Sequence, residues 1–388
     1  MRLVVGLLLM LSALTGVPAT EEIVPVDVQH VKVYYEPGRF GGWPANHGIW
    51  HWDNEILVGF SRGYYKDLGE RHHIDREKPE EHWLARSLDG GETWTLEHPA
   101  EKGFLIPQGE ALHGIETPGM PIPEPRACPG GIRFDHPDFA MTVRMSSKDA
   151  GFSRFYYSCD RGHTWEGPFR LPQFDTPGIA ARTDYIVDGP DTCTLFLTAA
   201  KADGNEGRPL CVRTEDGGAT WKFLSWIGPE PKQYAIMPTT VRLSENLLLT
   251  VIRKREGPIG WLDAYRSEDN GLSWELCSTP AENLGPGNPG AMIRLKDGRV
   301  CLTYGNRAAP YTIRARLSDD GGRTWGPEII LRDKGLSQDI GYTRTVQRPD
   351  GRVVTVDYFC DPETGPERYI AATIWTPPAP SNIVGGHR

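Results

Sequence analysis

An eight-residue pattern, Ser/Thr-x-Asp-x-Gly-x-Thr/Ser-Trp, occurs five times in this 388-residue chain and constrains its fold more than any other feature. The copies run from Ser87 to Trp94, Ser158 to Trp165, Thr214 to Trp221, Ser267 to Trp274 and Ser318 to Trp325. Successive tryptophans are 71, 56, 53 and 51 residues apart. A repeat of this size implies a solenoid or a propeller, in which each unit buries its apolar face against the next.

Each copy reads as a hairpin. An alternating run such as Ile313-Arg314-Ala315-Arg316-Leu317 leads into it. The Asp accepts bonds from nearby backbone N–H groups, and the Gly tolerates positive φ. Thr-Trp then opens the next strand, because β-branched and aromatic side chains suit a pleated, packed surface. Asp residues repeated in this way are better explained by a repeating turn than by five catalytic or metal-binding sites.

Two further layers repeat six times. Short apolar runs occur at 56–60, 139–143, 194–198, 247–252, 300–304 and 353–358. Just upstream of each lies another strand-like run ending in a turn, at 46–52, 130–134, 182–187, 238–243, 289–295 and 342–348. Four antiparallel strands in each of six units predict an all-β, six-bladed β-propeller. The sixth unit lacks the Asp turn, and Pro377-Pro378 follows its third strand, 369–374. The N-terminal run 26–35 is therefore the expected fourth strand, which would close the ring and remove a free edge.

Arg2, the apolar run 3–14 and Val17-Pro18-Ala19 read as a signal peptide, residues 1–19, ahead of a propeller at 20–388. This implies a secreted or periplasmic protein. No other stretch is apolar enough for a membrane span. Seven cysteines with no CxxC spacing argue against a disulfide scaffold or a zinc site, although one or two bridges remain open. No metal or cofactor is expected. A net charge of −9 argues against nucleic acid or an anionic membrane as partner.

In a propeller the first strand of each blade lines the central channel. The residues opening those strands include Asn46, His47, Arg182, Asp184, Met237, Asn288, Tyr342 and Arg344, while Arg253, Arg255 and Arg307 follow second strands. An acidic protein that gathers arginines around one channel suits an acidic ligand, since guanidinium groups match carboxylates in bidentate geometry. His47 is a possible base or sugar-binding donor. The longest inserts, 62–81 and 102–125, are of the length that tends to carry function.

The Asp turns, the six units and the arginines resemble the sialidase (neuraminidase) superfamily with BNR repeats, and within it secreted bacterial exo-alpha-sialidase-like proteins. Gly287-Asn288-Pro289, Leu295-Lys296-Asp297-Gly298-Arg299 and Asp339-Ile340-Gly341-Tyr342 fit that group, and the likeness covers the whole mature chain. The resemblance implies a retaining hydrolase of sialic acid or another acidic sugar on a glycan. Asp75, twelve residues before the first Asp turn, would be the acid/base, and Tyr342 the nucleophile. Arg253 and Arg307, with Arg182, would hold the sugar carboxylate, and Asn46, His47, Asn288 and Arg344 would line the substrate site. Two family features are absent. Pro44-Ala45-Asn46-His47 stands where an Arg-Ile-Pro motif is expected, and Met237 where a Glu should assist the tyrosine. Asp339 and Asp184 are the carboxylates that could replace that Glu. A uronate-directed enzyme and a non-catalytic propeller that binds glycan or protein remain open alternatives.

Overall fold

A computed structural model describes residues 22–23, 25, 27–106 and 124–380. The expected signal peptide and most of the 102–125 insert lie outside them. Six antiparallel sheets form a six-bladed β-propeller. Blade four has the plain form: Tyr234–Arg242, Leu248–Glu256, Ile259–Ser267 and Glu275–Ala281, paired in that order.

The Asp turns behave as local chemistry requires. In the fifth copy, Asp320 Oδ1 accepts from the Arg323 and Thr324 amides at 2.9 Å, and Oδ2 accepts from Thr324 Oγ1 at 2.6 Å. The Gly322 amide donates to Ser318 Oγ at 2.8 Å. A Cβ on Gly322 would lie 2.7 Å from Leu249, so the turn can tuck against the preceding blade only with glycine there.

Gln29–Tyr34 pairs with Tyr369–Trp375, so the N-terminal strand completes the sixth blade as expected. Glu22–Ile23 adds a parallel pairing to Glu328–Gly335 of blade five, so the N-terminal segment stitches two blades together.

Three first strands differ from expectation. Residues 130–134 do not join blade two, whose sheet has three strands, Ala140–Met145, Ser153–Ser158 and Glu166–Arg170. Their amides go elsewhere: Ile132 N–H donates to the Gly217 carbonyl at 3.1 Å and Phe134 N–H to the Pro190 carbonyl at 2.8 Å. In blade three the run splits into Ile179–Ala180 and Tyr185–Val187 around Arg182 and Thr183. In blade one a helical turn, Pro44–His47, interrupts it, with Arg39–Gly42 and Ile49–Trp52 pairing to Glu55–Tyr64 on either side. The seven cysteines are free thiols.

Candidate functional site

The channel face of the ring is shaped by bulges. Met237 and Tyr342 sit at register breaks near the starts of the inner strands of blades four and six, both with left-handed backbone, φ 54° and 51°. A bulge of this kind re-aims a side chain that an unbroken ladder would fix. Tyr342 is held there by Asn288, whose Oδ1 accepts the Tyr342 amide at 2.8 Å and whose Nδ2 donates to the Ile340 carbonyl at 2.7 Å. Gly341 between them has φ +101°, and a Cβ there would lie 2.3 Å from Asn288 Nδ2. Only glycine fits.

The first-blade insert folds over the channel. Asp75 N–H donates to the Tyr64 carbonyl at 2.8 Å and Lys66 N–H to the His73 carbonyl at 3.1 Å, which close the insert into a short ladder with Ile74 buried beneath. Its tip is clamped onto the segment before blade six. The His73 amide donates to Asp339 Oδ2 at 3.0 Å, His72 Nδ1 lies 2.6 Å from Asp339 Oδ1, and Gln338 Nε2 donates to the Glu70 carbonyl at 2.8 Å.

Beneath the insert lies a cavity of about 920 Å³ whose walls include His72, Asp75, Arg253, Arg307 and Asp339. Six of its lining residues are Lys or Arg and four are Asp or Glu, an excess of positive charge in a protein of net charge −9. None of the Asp-turn residues lines it.

Arg253 and Arg307 converge on Tyr342. Arg253 Nη1 donates to the Tyr342 hydroxyl at 3.3 Å, and the Arg307 guanidinium lies 5.2 Å from the Tyr342 ring centre. Arg253 is otherwise fixed by the Pro286 carbonyl at 3.0 Å, and among the described residues its buried Nε has no hydrogen-bond partner. Arg307 donates to the Ile340 carbonyl at 3.0 Å and to Tyr358 Oη at 2.6 Å. Among the described residues neither guanidinium is paired with a carboxylate, so each keeps donor capacity for an anion.

Asp75 is 8 % exposed and lies 3.3 Å from Lys66 Nζ. Burial alone would push its carboxyl up, but the Glu77 amide, Lys66 and Lys78 outweigh it and hold it below the usual carboxylate range. Asp339 is buried deeper. Burial would raise its carboxyl too, yet His72, Arg368 and Arg307 together hold it well below the usual range.

The other expected substrate residues lie elsewhere. His47 is 1 % exposed; its Nε2 is 2.9 Å from Ser61 Oγ and its Nδ1 meets Arg144, so blade packing already uses both ring nitrogens. Arg182 is ion-paired with Glu206 and donates to Asn46 Oδ1 at 3.1 Å, which also occupies Asn46. Arg344 donates to the Ala45 and Thr183 carbonyls and, with Asp184, lines a separate part of the channel. Asn288 is fully buried and holds Tyr342 rather than facing the cavity.

The missing Glu is truly missing: Met237 is buried in the apolar cluster that also contains Tyr342. Of the two carboxylates that could replace it, Asp339 reaches a tyrosine, but that tyrosine is Tyr358, at 2.5 Å. His72 and Tyr358 were not picked out by sequence. The only signal for His72 was its place beside His73 and Asp75 on a long insert.

Similar structures share this fold at low identity. A protein of unknown function from Dyadobacter fermentans superposes with a TM-score of 0.65 at 20 % identity, over 89 % of this chain and 98 % of that one. The K499G mutant of NanB sialidase from Streptococcus pneumoniae gives 0.57 at 10 % identity, over 89 % and 68 %. The alpha-L-arabinanase of Penicillium chrysogenum, solved with arabinobiose, gives 0.53 at 11 % identity, over 92 % and 99 %. No curated protein matches the sequence. Residues 139–355, more than half of the chain, match the family described as BNR repeat-like domain, and the chain belongs to that family.

Proposed function

We propose that this protein is an exported glycoside hydrolase that acts on a glycan ending in a carboxylated sugar, sialic acid first among them. The observation that carries this reading is the convergence of Arg253 and Arg307, both without a carboxylate partner among the described residues, on Tyr342 near an insert that carries Asp75. The arginines hold the sugar carboxylate and so set the ring's position over Tyr342. Asp75 protonates the departing oxygen, and Tyr342 attacks the anomeric carbon to give a covalent intermediate, the retaining route. Asp75 is ionised beside Lys66. Lys66 is nearly half exposed, so the tether is weak, and an aglycone that displaces it frees Asp75 to take up a proton.

Aryl sialosides, aryl uronides and a neutral aryl arabinoside, offered to the purified protein, test this reading. Turnover of one of the carboxylated glycosides, lost in Asp75→Ala, supports it. Turnover confined to the arabinoside, or binding of acidic glycans without any turnover, counts against it.

A further inference from the structure

The chemistry above leaves the Tyr342 proton without a destination. A phenol has a pKa near 10 and attacks at neutral pH only if a base takes its proton. The position expected to supply a Glu holds buried Met237, and Asp339 gives Oδ1 to Tyr358 and His72. Resting on the hydrolase reading, we propose that His72 is that base, oriented by Asp339.

Three observations place it. First, Nδ1 of His72 lies 2.6 Å from Asp339 Oδ1, beside a carboxylate that the Arg368 and Arg307 guanidiniums also favour; a neutral ring that donates Nδ1–H to Asp339 keeps Nε2 as an acceptor. Second, the imidazole stands edge-on to the Tyr342 ring with centroids 6.4 Å apart, and edge-on to Trp43 at 5.2 Å, so the two side chains are neighbours and the proposed transfer runs through one water. Third, the Tyr342 oxygen accepts from Arg253, but among the described residues nothing accepts its proton, and nothing donates to His72 Nε2. Among the described residues, a phenol proton without an acceptor thus neighbours a ring nitrogen without a donor. His72 is about a third exposed and lines the cavity.

The step balances. As the Tyr342 oxygen bonds to the anomeric carbon, its proton passes to Nε2. The glycosidic oxygen leaves with the bonding pair and takes the Asp75 proton. Water then attacks the anomeric carbon and gives a proton to Asp75. The Tyr342 oxygen leaves with its bonding pair and recovers the proton from His72. Asp339 touches no reacting atom and is a positioning residue.

The test uses the full chain and the best carboxylated substrate of the panel. His72→Ala should lower kcat by roughly 10²–10⁴-fold with KM little changed, and added imidazole should restore at least tenfold of that loss. Imidazole should restore nothing to Tyr342→Phe. Asp339→Asn should lower kcat at unchanged KM, and imidazole should not help because His72 still fills the space. Unchanged thermal melting confirms that each variant is folded. A folded His72→Ala variant whose kcat stays within threefold of wild type, or whose loss imidazole does not reverse, overturns the assignment alone. A wild type that turns over no glycoside overturns the hydrolase reading and the assignment with it.

Discussion

Tyr358 donates its hydroxyl to Asp339 Oδ1 at 2.5 Å, fully buried, and accepts from Arg307 Nη2 at 2.6 Å. This hydroxyl couples the carboxylate that orients His72 to the guanidinium beside Tyr342. Tyr358→Phe leaves a buried Asp339 oxygen and a buried Arg307 donor each short of a partner. The expected loss is about 1–3 kcal/mol of stability, measured by urea unfolding. No change in the midpoint would mean that water replaces the hydroxyl.

Arg307→Lys keeps the charge and loses the planar fork that now spans the Ile340 carbonyl and the Tyr358 oxygen. Binding of a carboxylated sugar should weaken by about 1–3 kcal/mol, that of its methyl ester far less. Calorimetry with both ligands checks this. Equal weakening of the two would make Arg307 structural.

Lys66 helps hold the Asp75 carboxyl down, so Lys66→Met should let it rise. Asp75 works as an acid only while protonated. The alkaline limb of kcat/KM against pH should therefore move to higher pH, while the limb set by any base stays in place. A limb that does not move would exclude Asp75 as the acid.

Asp320 closes its turn with four bonds, to the Arg323 and Thr324 amides and to the Thr324 and Ser318 hydroxyls, and does not line the cavity. Asp320→Ala should cost about 1–3 kcal/mol of stability and leave ligand affinity unchanged. Thermal melts paired with ligand titrations check both halves.

Glu80 is buried, and burial outweighs the opposing pull of Ser61, Arg76 and Arg144, pushing its carboxyl up to about 8 from an ordinary 4.5. Its folded pKa lies above its unfolded one. Its contribution is therefore complete below pH 4.5 and is lost as pH rises towards 8, at up to about 1.4 kcal/mol per pH unit. Asp184 and Asp357, both pushed up to about 7 by burial, act in the same sense. Glu80→Gln should leave the Tm near wild type at pH 4.5 and raise it above wild type at pH 8. A constant difference across that range would place the Glu80 titration elsewhere.

The sequence alone determined the six-blade count, the Asp turns and the ring closure by the N-terminal strand. These rest on short-range physics: alternation along a strand, a carboxylate within four residues of the amides it caps, and a sixth unit visibly short of one strand. It also marked Asp75, Arg253 and Arg307, which line one cavity, and Tyr342, on which the two arginines converge. Only the tertiary structure decided the rest. His47 and Arg182 read as channel groups, yet neighbouring side chains, Arg144 for one and Glu206 for the other, claim them. Residues 130–134 have strand-like composition, but their amides are taken by carbonyls outside the blade-two sheet. The His72–Asp339 contact joins groups 267 residues apart, one on an insert of the first blade and one ahead of the last. Local sequence cannot encode such a pair, because the two segments become neighbours only when the ring closes and brings the first blade against the sixth.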